Sequence, residues 1–140
     1  MPRPFLTASF QAKVNKPWGE EVIYTPPDLG RTGKILRVKA GCKLSLQYHE
    51  EKEETLCLMS GQALFWLENA AGEIEKIPMR PQAGYTVARR QKHRIEAVTD
   101  SVFIEVSSPE IGVTVRLADD YRRPDETEAL RAEKDRGWRG

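Results

Sequence analysis

Glycine and proline residues interrupt the sequence at short intervals, and this spacing leaves room only for short secondary-structure elements. Between these interruptions, apolar residues alternate with polar residues more often than they follow the period of a helix. Because successive side chains of a strand point to opposite faces, such alternation is typical of half-buried strands. Many short strands separated by turns indicate an all-β sandwich or barrel.

Ten segments have this strand pattern, and two turns between them are well defined. Gly61 follows Ser60 in a tight hairpin, because glycine accepts the positive φ that such turns need. The run N-A-A-G at 69–72 is a second turn signal. The predicted strands are 21–24, 34–38, 43–49, 55–60, 62–68, 74–78, 84–88, 93–98, 102–107 and 113–117.

The composition changes after residue 123, and we therefore divide the chain into a barrel domain, residues 1–123, and a helical tail, residues 124–140. The run T-E-A-L-R-A-E-K-D-R-G at 127–137 predicts one short helix. Asp125 with Glu128 resembles a capping box, and Gly137 supplies the stop. Because the helix is mostly charged, we expect it on the surface or against a partner subunit.

The composition excludes several classes of function. A chain of 140 residues suits one domain. Lys and Arg total 22 and Asp and Glu total 21, so the charge balance predicts neither nucleic acid nor membrane as a partner. The N-terminal segment lacks the apolar region of a signal peptide, which makes a cytoplasmic location the expectation. Cys42 and Cys57 are expected to be reduced thiols.

The chain has two histidines, and the first lies at the end of a predicted strand with a polar face. Residues two apart on a strand share a face, so Gln47 and His49 project side by side, and Ser45 shares that face. A polar face is unusual inside a small barrel. It is expected where the face lines a ligand cavity.

An acidic segment follows His49 and leads to Glu54 at the start of the next strand, from which its carboxylate could return to His49. Imidazole, carboxylate and amide oxygen are all ligands for a borderline divalent ion, and His93 would complete a four-ligand set. Each residue alone also has a plain interpretation, as a hydrogen-bonded histidine or a solvated glutamate. The combined spacing favours a metal site formed by Gln47, His49, Glu54 and His93.

This spacing resembles the first motif of the cupin superfamily. Residues 41–61 read G-x5-Q-x-H-x4-E-x6-G, with Gln47 where most cupins have histidine. The second cupin motif resembles residues 87–93, which keep His93 but have Ala88 and Arg90 in place of proline and glycine. The resemblance implies a single cupin jelly-roll β-barrel, also called a double-stranded β-helix.

A Gln, His, Glu, His ligand set resembles in particular the metal site of phosphomannose isomerases, and the type II phosphomannose isomerase domain has further motifs in common with this chain. These are K-P-W-G at 16–19, L-S-L-Q-Y-H at 44–49, I-E-V at 104–106 and V-R-L-A-D-D-Y-R-R at 115–123. In the last of them, Arg122 replaces a glycine. Together the motifs extend over most of the predicted barrel.

The resemblance implies a metal-dependent isomerase that interconverts aldose and ketose sugar phosphates, similar to mannose-6-phosphate isomerase. One divalent ion is expected; zinc fits the resemblance, and manganese, iron, cobalt or nickel could use the same ligands. The small-molecule partner is a sugar or sugar phosphate. The catalytic candidates are Arg116, Glu105 and Lys92, and the substrate-binding candidates are Ser45, Arg37, Lys39, Arg90 and Tyr121.

Two other functions stay open because the chain departs from the family pattern at Ala88, Arg90 and Arg122. One is another metal-dependent cupin enzyme, such as a dioxygenase acting on a small organic acid. The other is a non-catalytic sugar-binding or accessory cupin. The apolar outer faces of 56–59 and 63–67 predict a homodimer.

Overall fold

The computed structural model describes residues 2–140, which form eleven strands and two short helical segments. No helix in that range is long and apolar enough to span a membrane. The strands are β1 Ala12–Lys16, β2 Gly19–Ile23, β3 Thr32–Val38, β4 Leu46–His49, β5 Glu54–Ser60, β6 Ala63–Glu68, β7 Ile74–Pro78, β8 Gly84–Val87, β9 His93–Ala97, β10 Ser101–Ser107 and β11 Thr114–Ala118. The helical segments are α1 Glu128–Arg131 and a 3-10 segment, Lys134–Gly137.

The strands form two antiparallel sheets that face each other. The first has the order β1-β2-β3-β10-β5-β8, and the second has the order β11-β4-β9-β6-β7. Seven of the ten connections between these strands cross from one sheet to the other, and the β1–β2, β2–β3 and β6–β7 connections stay within one sheet. This arrangement is a jelly-roll barrel and confirms the predicted all-β fold.

The interior is apolar at one end of the barrel and charged at the other. Phe65 and Phe103 are fully buried, and Leu58 pairs with Phe103 across β5 and β10. Each buried side chain of this size contributes about 1.5–3 kcal/mol to folding. The inward positions of the same strands also include Glu105, two residues after Phe103, and Glu54, four residues before Leu58. The alternation that builds the core thus also directs carboxylates into the barrel.

Strand β1 is absent from the sequence prediction, and β4 is shorter than predicted. The β1 segment alternates between half-buried and exposed residues, including two lysines, because it is the edge strand of its sheet. Its sequence therefore lacks an apolar face. In the segment predicted as strand 43–49, Lys43 makes only an isolated bridge with Glu96, and the regular pairing begins at Leu46.

The tail contains the predicted short helix, but the helix does not run continuously over 127–137. Helix α1 contains four residues, and Asp135 and Arg136 have left-handed backbone conformations. The N-cap is Thr127, whose hydroxyl accepts from the Leu130 N–H at 3.2 Å. Asp125, predicted as part of the cap, instead accepts from the Arg116 N–H at 2.9 Å. Short helices gain little stability from their own hydrogen bonds, so contacts with the barrel determine the path of the tail.

The tail packs on the open end of the barrel. Arg136 inserts its guanidinium between Glu110, at 2.7 Å, and Glu126, at 3.0 Å, and only 9% of its side chain is exposed. Trp138 packs against Tyr121 with ring centroids 6.2 Å apart. The division into residues 1–123 and 124–140 stays a prediction, as does the homodimer, although Met59 and Val106 are exposed on the outer face of the first sheet.

The predicted hairpin at Ser60 and Gly61 is wrong, because β5 and β6 lie in different sheets and do not pair. Gly61 nevertheless gives a direct test of the β5–β6 connection. Its φ is +90°, and an added Cβ would lie 2.3 Å from the Asp100 carbonyl oxygen. Gly72 has a similar φ of +81°, but the nearest atom to its Cβ is 3.9 Å away. We expect Gly72→Ala to reduce the free energy of unfolding by about 1–2 kcal/mol, the cost of the left-handed backbone. Gly61→Ala should cost clearly more in urea unfolding, and equal losses would contradict the close approach.

Candidate metal centre

Three strands bring the four predicted metal ligands to the charged end of the barrel. Gln47 and His49 lie on β4, Glu54 begins β5 and His93 begins β9. Gln47 is the register partner of His93 across β4 and β9, so the two side chains share the inner face. Because side chains two residues apart on β4 share a face, Gln47 and His49 lie side by side on the inner face, as the sequence predicts.

The side chains of His49, Glu54 and His93 form a compact buried cluster. One ligand atom from each residue lies within 4.8 Å of the others, an arrangement that could hold a metal ion. Glu54 Oε1 lies 3.0 Å from His93 Nε2 and 3.5 Å from His49 Nε2. The Gln47 amide nitrogen is 3.4 Å from His49 Nε2. Two imidazoles and a carboxylate are common ligands for zinc, iron and manganese.

The orientation of His93 suits a metal ligand. Its Nδ1 lies 2.9 Å from the Gln91 carbonyl oxygen, which can only accept a hydrogen bond, so Nδ1 is the donor. The ring therefore turns its buried Nε2 into the cluster, 3.0 Å from Glu54 Oε1. A backbone carbonyl that fixes the ring of a ligating histidine in this way is common in metal sites.

The electrostatics of the cluster favour the protonation states that bind metal. Burial lowers the pKa of His49 and outweighs the opposing effect of Glu54, so the imidazole stays neutral. Burial alone would raise the pKa of Glu54, but the Lys52 ammonium and the adjacent imidazoles hold it well below its usual range. Neutral histidine and ionised glutamate are the forms that ligate a metal.

The Gln47 amide requires a rotation to act as a ligand. Its oxygen accepts from the Ser45 hydroxyl at 2.5 Å, and its nitrogen faces His49. Turning the amide by about 180° would present the oxygen to the cluster, and the Ser45 hydroxyl could then accept from the amide nitrogen. Ser45 is itself buried, so it can fix either orientation.

Two buried lysines that the sequence analysis did not select link this cluster to further carboxylates. Lys52 Nζ lies 3.2 Å from Glu54 Oε2 and 3.1 Å from Glu105 Oε2. Lys34 Nζ lies 3.1 Å from Glu21 Oε1 and 2.9 Å from Glu110 Oε2. Lys34 could have been found, because it alternates on β3 with two buried apolar residues. Lys52 lies in a loop and carries no such signal.

Glu105 differs from the other buried carboxylates because its environment favours the neutral form. Burial and the neighbouring Glu54 carboxylate raise the pKa of Glu105 to about 7, although Lys52 and Lys34 act in the opposite direction. Glu105 lines the same cavity as the His–Glu–His cluster. A carboxyl group with a pKa near neutrality can both accept and donate a proton at physiological pH.

Of the predicted catalytic and substrate residues, the structure brings Ser45, Glu105 and Arg116 to this cavity. Arg116 is the register partner of Gln47 across β11 and β4, so its side chain lies beside the predicted metal ligand. Its Nη1 donates to the Pro124 carbonyl at 2.6 Å, whereas its buried Nε has no partner in the described part of the chain.

The other predicted catalytic and substrate residues lie outside the metal cavity. Their roles remain predictions, and their positions do not favour those roles. Arg37 is on the outer surface and pairs with Glu20 at 3.0 Å. Lys39 and Arg90 are exposed, and Lys92 is half-buried beside Glu68, to which its backbone N–H donates. Tyr121 lines a neighbouring cavity rather than the metal cavity. The outward direction of Arg37 could have been recognised, because it alternates on β3 with the buried Leu36 and Val38.

The metal cavity is small. Its volume is about 60 Å³, because Arg136 and the buried lysines fill the end of the barrel. Ligand pockets generally have volumes of about 300–1,000 Å³. The cavity therefore has room for a few water molecules or a very small ligand beside a metal ion.

Comparisons with known proteins show the fold. No protein-family model and no curated protein sequence matches the chain. Among solved structures, KdgF from Halomonas sp. has a TM-score of 0.58 and 21% identity over 68% of this chain and 83% of KdgF. The capsular polysaccharide assembling protein CapF from Staphylococcus aureus has a TM-score of 0.64 and 16% identity, over 86% of this chain and 32% of CapF.

Oxalate decarboxylase from Lactobacillus farciminis, solved as a formate complex, has a TM-score of 0.68 and 18% identity over 83% of this chain and 38% of that protein. The chain thus spans about a third of the length of CapF and of this decarboxylase. At these identities the likeness establishes the fold alone, which is a jelly-roll barrel of the cupin type. None of these three structures is a phosphomannose isomerase.

Metal content tests the centre directly. We expect about one divalent ion per chain by elemental analysis, and a large loss of bound metal in His49→Ala and in His93→Ala, because each removes one ligand. Thr114→Val, which removes the hydroxyl 2.9 Å from His49 Nδ1, should weaken metal binding about 10–100-fold. Glu75→Gln, at an exposed position of β7, is the control. Unchanged metal content in both histidine variants would exclude this site.

Glu126 should make the stability of the protein depend on acid pH. Burial raises its pKa, but Arg136 and Lys16 outweigh burial and lower the pKa to about 2. The depressed value stabilises the folded state above the unfolded pKa of about 4.5, and this contribution is lost as pH falls toward 2. It amounts to about 3 kcal/mol. Urea unfolding at several pH values should show a shallower acid loss in Glu126→Gln than in Glu75→Gln, and identical profiles would contradict the assignment.

Proposed function

We propose that the protein is a metal-dependent isomerase that interconverts the aldose and ketose forms of a sugar phosphate. The observation that carries the metal site is the buried cluster of His49, Glu54 and His93, whose ligand atoms lie within 4.8 Å of one another. The observation that favours isomerisation is the convergence of that cluster with Glu105 and Arg116 on one cavity.

The metal would be held by His49, Glu54 and His93, with Gln47 as a fourth ligand. A bound divalent ion would polarise substrate oxygens and stabilise negative charge that develops on them. Zinc fits the resemblance to phosphomannose isomerases. Manganese is a second candidate, since a Bacillus subtilis oxalate decarboxylase of the same fold has Mn(II) centres.

Glu105 is our candidate for the group that moves the proton between C1 and C2. Its pKa of about 7 lets it accept the proton in one step and return it in the next. Lys52 contacts both Glu105 and Glu54, so it holds the base at a fixed position relative to the metal ligands. The ion pair also limits rotation of the Glu105 carboxyl group.

Arg116 is our candidate for contact with the phosphate. A guanidinium binds phosphate with directed hydrogen bonds, and the Arg116 Nε is buried without an acceptor among residues 2–140. Pairing of Arg116 with Gln47 places it on the strand next to the metal ligands. A phosphate held there would leave the sugar end directed toward the metal cavity.

The small volume of the metal cavity favours one alternative, a metal-dependent cupin enzyme that acts on a small organic acid. A cavity of about 60 Å³ could admit a two-carbon or three-carbon acid more readily than a hexose. In that case Arg116 would bind a carboxylate in place of a phosphate.

Turnover of mannose 6-phosphate to fructose 6-phosphate by the metal-loaded protein tests the proposal. We expect Glu105→Gln to lower kcat about 100-fold or more while metal content is unchanged, because the amide cannot carry the proton. The wild-type pH profile of kcat/KM should show a group titrating near 7, and the variant should lose it. Glu20→Gln, on the outer face of β2, is the matched control. Stoichiometric metal without turnover would exclude the isomerase and direct the assay to small organic acids.

A further inference from the structure

A second cavity of about 300 Å³ adjoins the metal cavity at the point where the tail meets the barrel. Its volume is within the range of small-molecule sites. The two cavities share four lining residues, Lys16, Arg116, Arg123 and Arg136. Residues from the tail close its other side, so this cavity exists only because the tail docks on the barrel.

The lining of this cavity, called here the basic cavity, is strongly cationic. In the described part of the chain its one acidic side chain is Asp135. That carboxylate already accepts from the Asn15 N–H at 2.8 Å and lies 3.4 Å from the Asn15 amide nitrogen. The cationic residues that line the basic cavity are Lys16, Arg116, Arg122, Arg123, Arg136 and Arg139.

Some of these cations have carboxylate partners and others do not. Arg123 forms a two-point pair with Asp119 at 2.9 and 3.0 Å, and Arg136 pairs with Glu110 and Glu126. Lys16 has only Glu126 at 4.0 Å, and burial lowers its pKa to about 8. Arg122 and Arg139 make no ion pair within residues 2–140. The cavity therefore has excess positive charge.

Arg116 provides an independent indication of a missing anionic ligand. Only 8% of its side chain is exposed, and its buried Nε lacks a hydrogen-bond partner among the residues described. Its Nη2 is 3.7 Å from Glu126, too long for a hydrogen bond. Buried donors are nearly always satisfied in folded proteins, so an unpaired one beside a cavity marks the position of an absent acceptor.

Two aromatic rings form the remaining wall. Tyr121 and Trp138 pack edge to face with an interplanar angle of 69°. The Arg123 guanidinium lies 5.9 Å from the Tyr121 ring, which completes a surface of cations and aromatic faces. Such a surface suits a ligand with an anionic group and an organic part whose C–H bonds can pack on an aromatic ring.

We propose that the basic cavity binds the phosphate monoester of a phosphorylated sugar, with the Arg116 Nε as a buried donor and Arg122 and Arg139 at the rim. Trp138 packs against the organic part. The assignment of the organic part as a sugar rests on the proposed function, whereas the anion site rests on the cavity itself. Because Arg116 lies beside Gln47, a ligand bound here reaches toward the metal cavity.

The test uses calorimetric titration of the full-length, metal-loaded protein with inorganic phosphate, mannose 6-phosphate and mannose. We expect phosphate and mannose 6-phosphate to bind, with the sugar phosphate roughly tenfold tighter, and mannose to show no binding in the same range. Free phosphate binding as tightly as the sugar phosphate would assign the cavity to inorganic phosphate and overturn the role of Trp138.

Three variants separate the parts of the site. Arg122→Asn combined with Arg139→Ala should weaken both phosphate ligands about fivefold or more, since asparagine tolerates the left-handed backbone of Arg122. Trp138→Ala should weaken the sugar phosphate to the level of inorganic phosphate, and Trp138→Phe should restore part of the difference. Arg80→Ala, an exposed arginine outside the cavity, is the matched control. Thermal unfolding verifies that each variant is folded.

The outcomes distinguish this site from the isomerase proposal. Absence of phosphate binding, or equal weakening by Arg80→Ala, would overturn the anion site even if the protein turns over mannose 6-phosphate. The expected variant pattern without turnover would support the anion site and exclude the isomerase. Binding that persists unchanged in the Arg122/Arg139 double variant would place the phosphate elsewhere.

Discussion

The charged end of the barrel depends on ion pairs between its buried carboxylates and buried cations. An isolated ionised carboxylate is very costly in a low-dielectric interior, and removing one partner of a buried pair leaves an uncompensated charge. Glu21 and Glu110 point into the barrel and converge on Lys34, whose side chain is only 2% exposed. The tail contributes a further cation, Arg136, which contacts Glu110 at 2.7 Å and Glu21 at 3.5 Å. The ion pairs that compensate these carboxylates therefore also hold the tail against the barrel.

This balance also gives two neighbouring glutamates different properties. Lys52 bridges Glu54 and Glu105 at nearly equal distances, yet Glu54 has the imidazoles of His49 and His93 beside it and stays ionised. Glu105 has a second carboxylate nearby and a pKa of about 7. Environments that separate the pKa values of like groups are typical of acid–base sites. The proposed ligand and the proposed base differ through their neighbours rather than their residue type.

The tail was the part of the fold least predictable from sequence. Local composition at 127–137 favours a helix, but a helix of four residues gains little stability from its own hydrogen bonds. The ion pair between Arg136 and Glu110 therefore has the larger effect on the path of the chain. The left-handed conformation of Arg136 is thus a consequence of tertiary contacts. Arg116 illustrates the same limit, since its position beside Gln47 depends on the pairing of β11 with β4.

The sequence by itself determined the short strands, the all-β class and the grouping of Gln47, His49 and Glu54, because a strand period of two and a short connection are local properties. Only the tertiary structure decided which distant residues complete the site. His93 meets Gln47 through the pairing of β4 with β9, and Lys52 reaches Glu105 through the interior of the barrel. The basic cavity likewise forms only when the tail docks. Such contacts join residues far apart in the chain, and no local pattern records them.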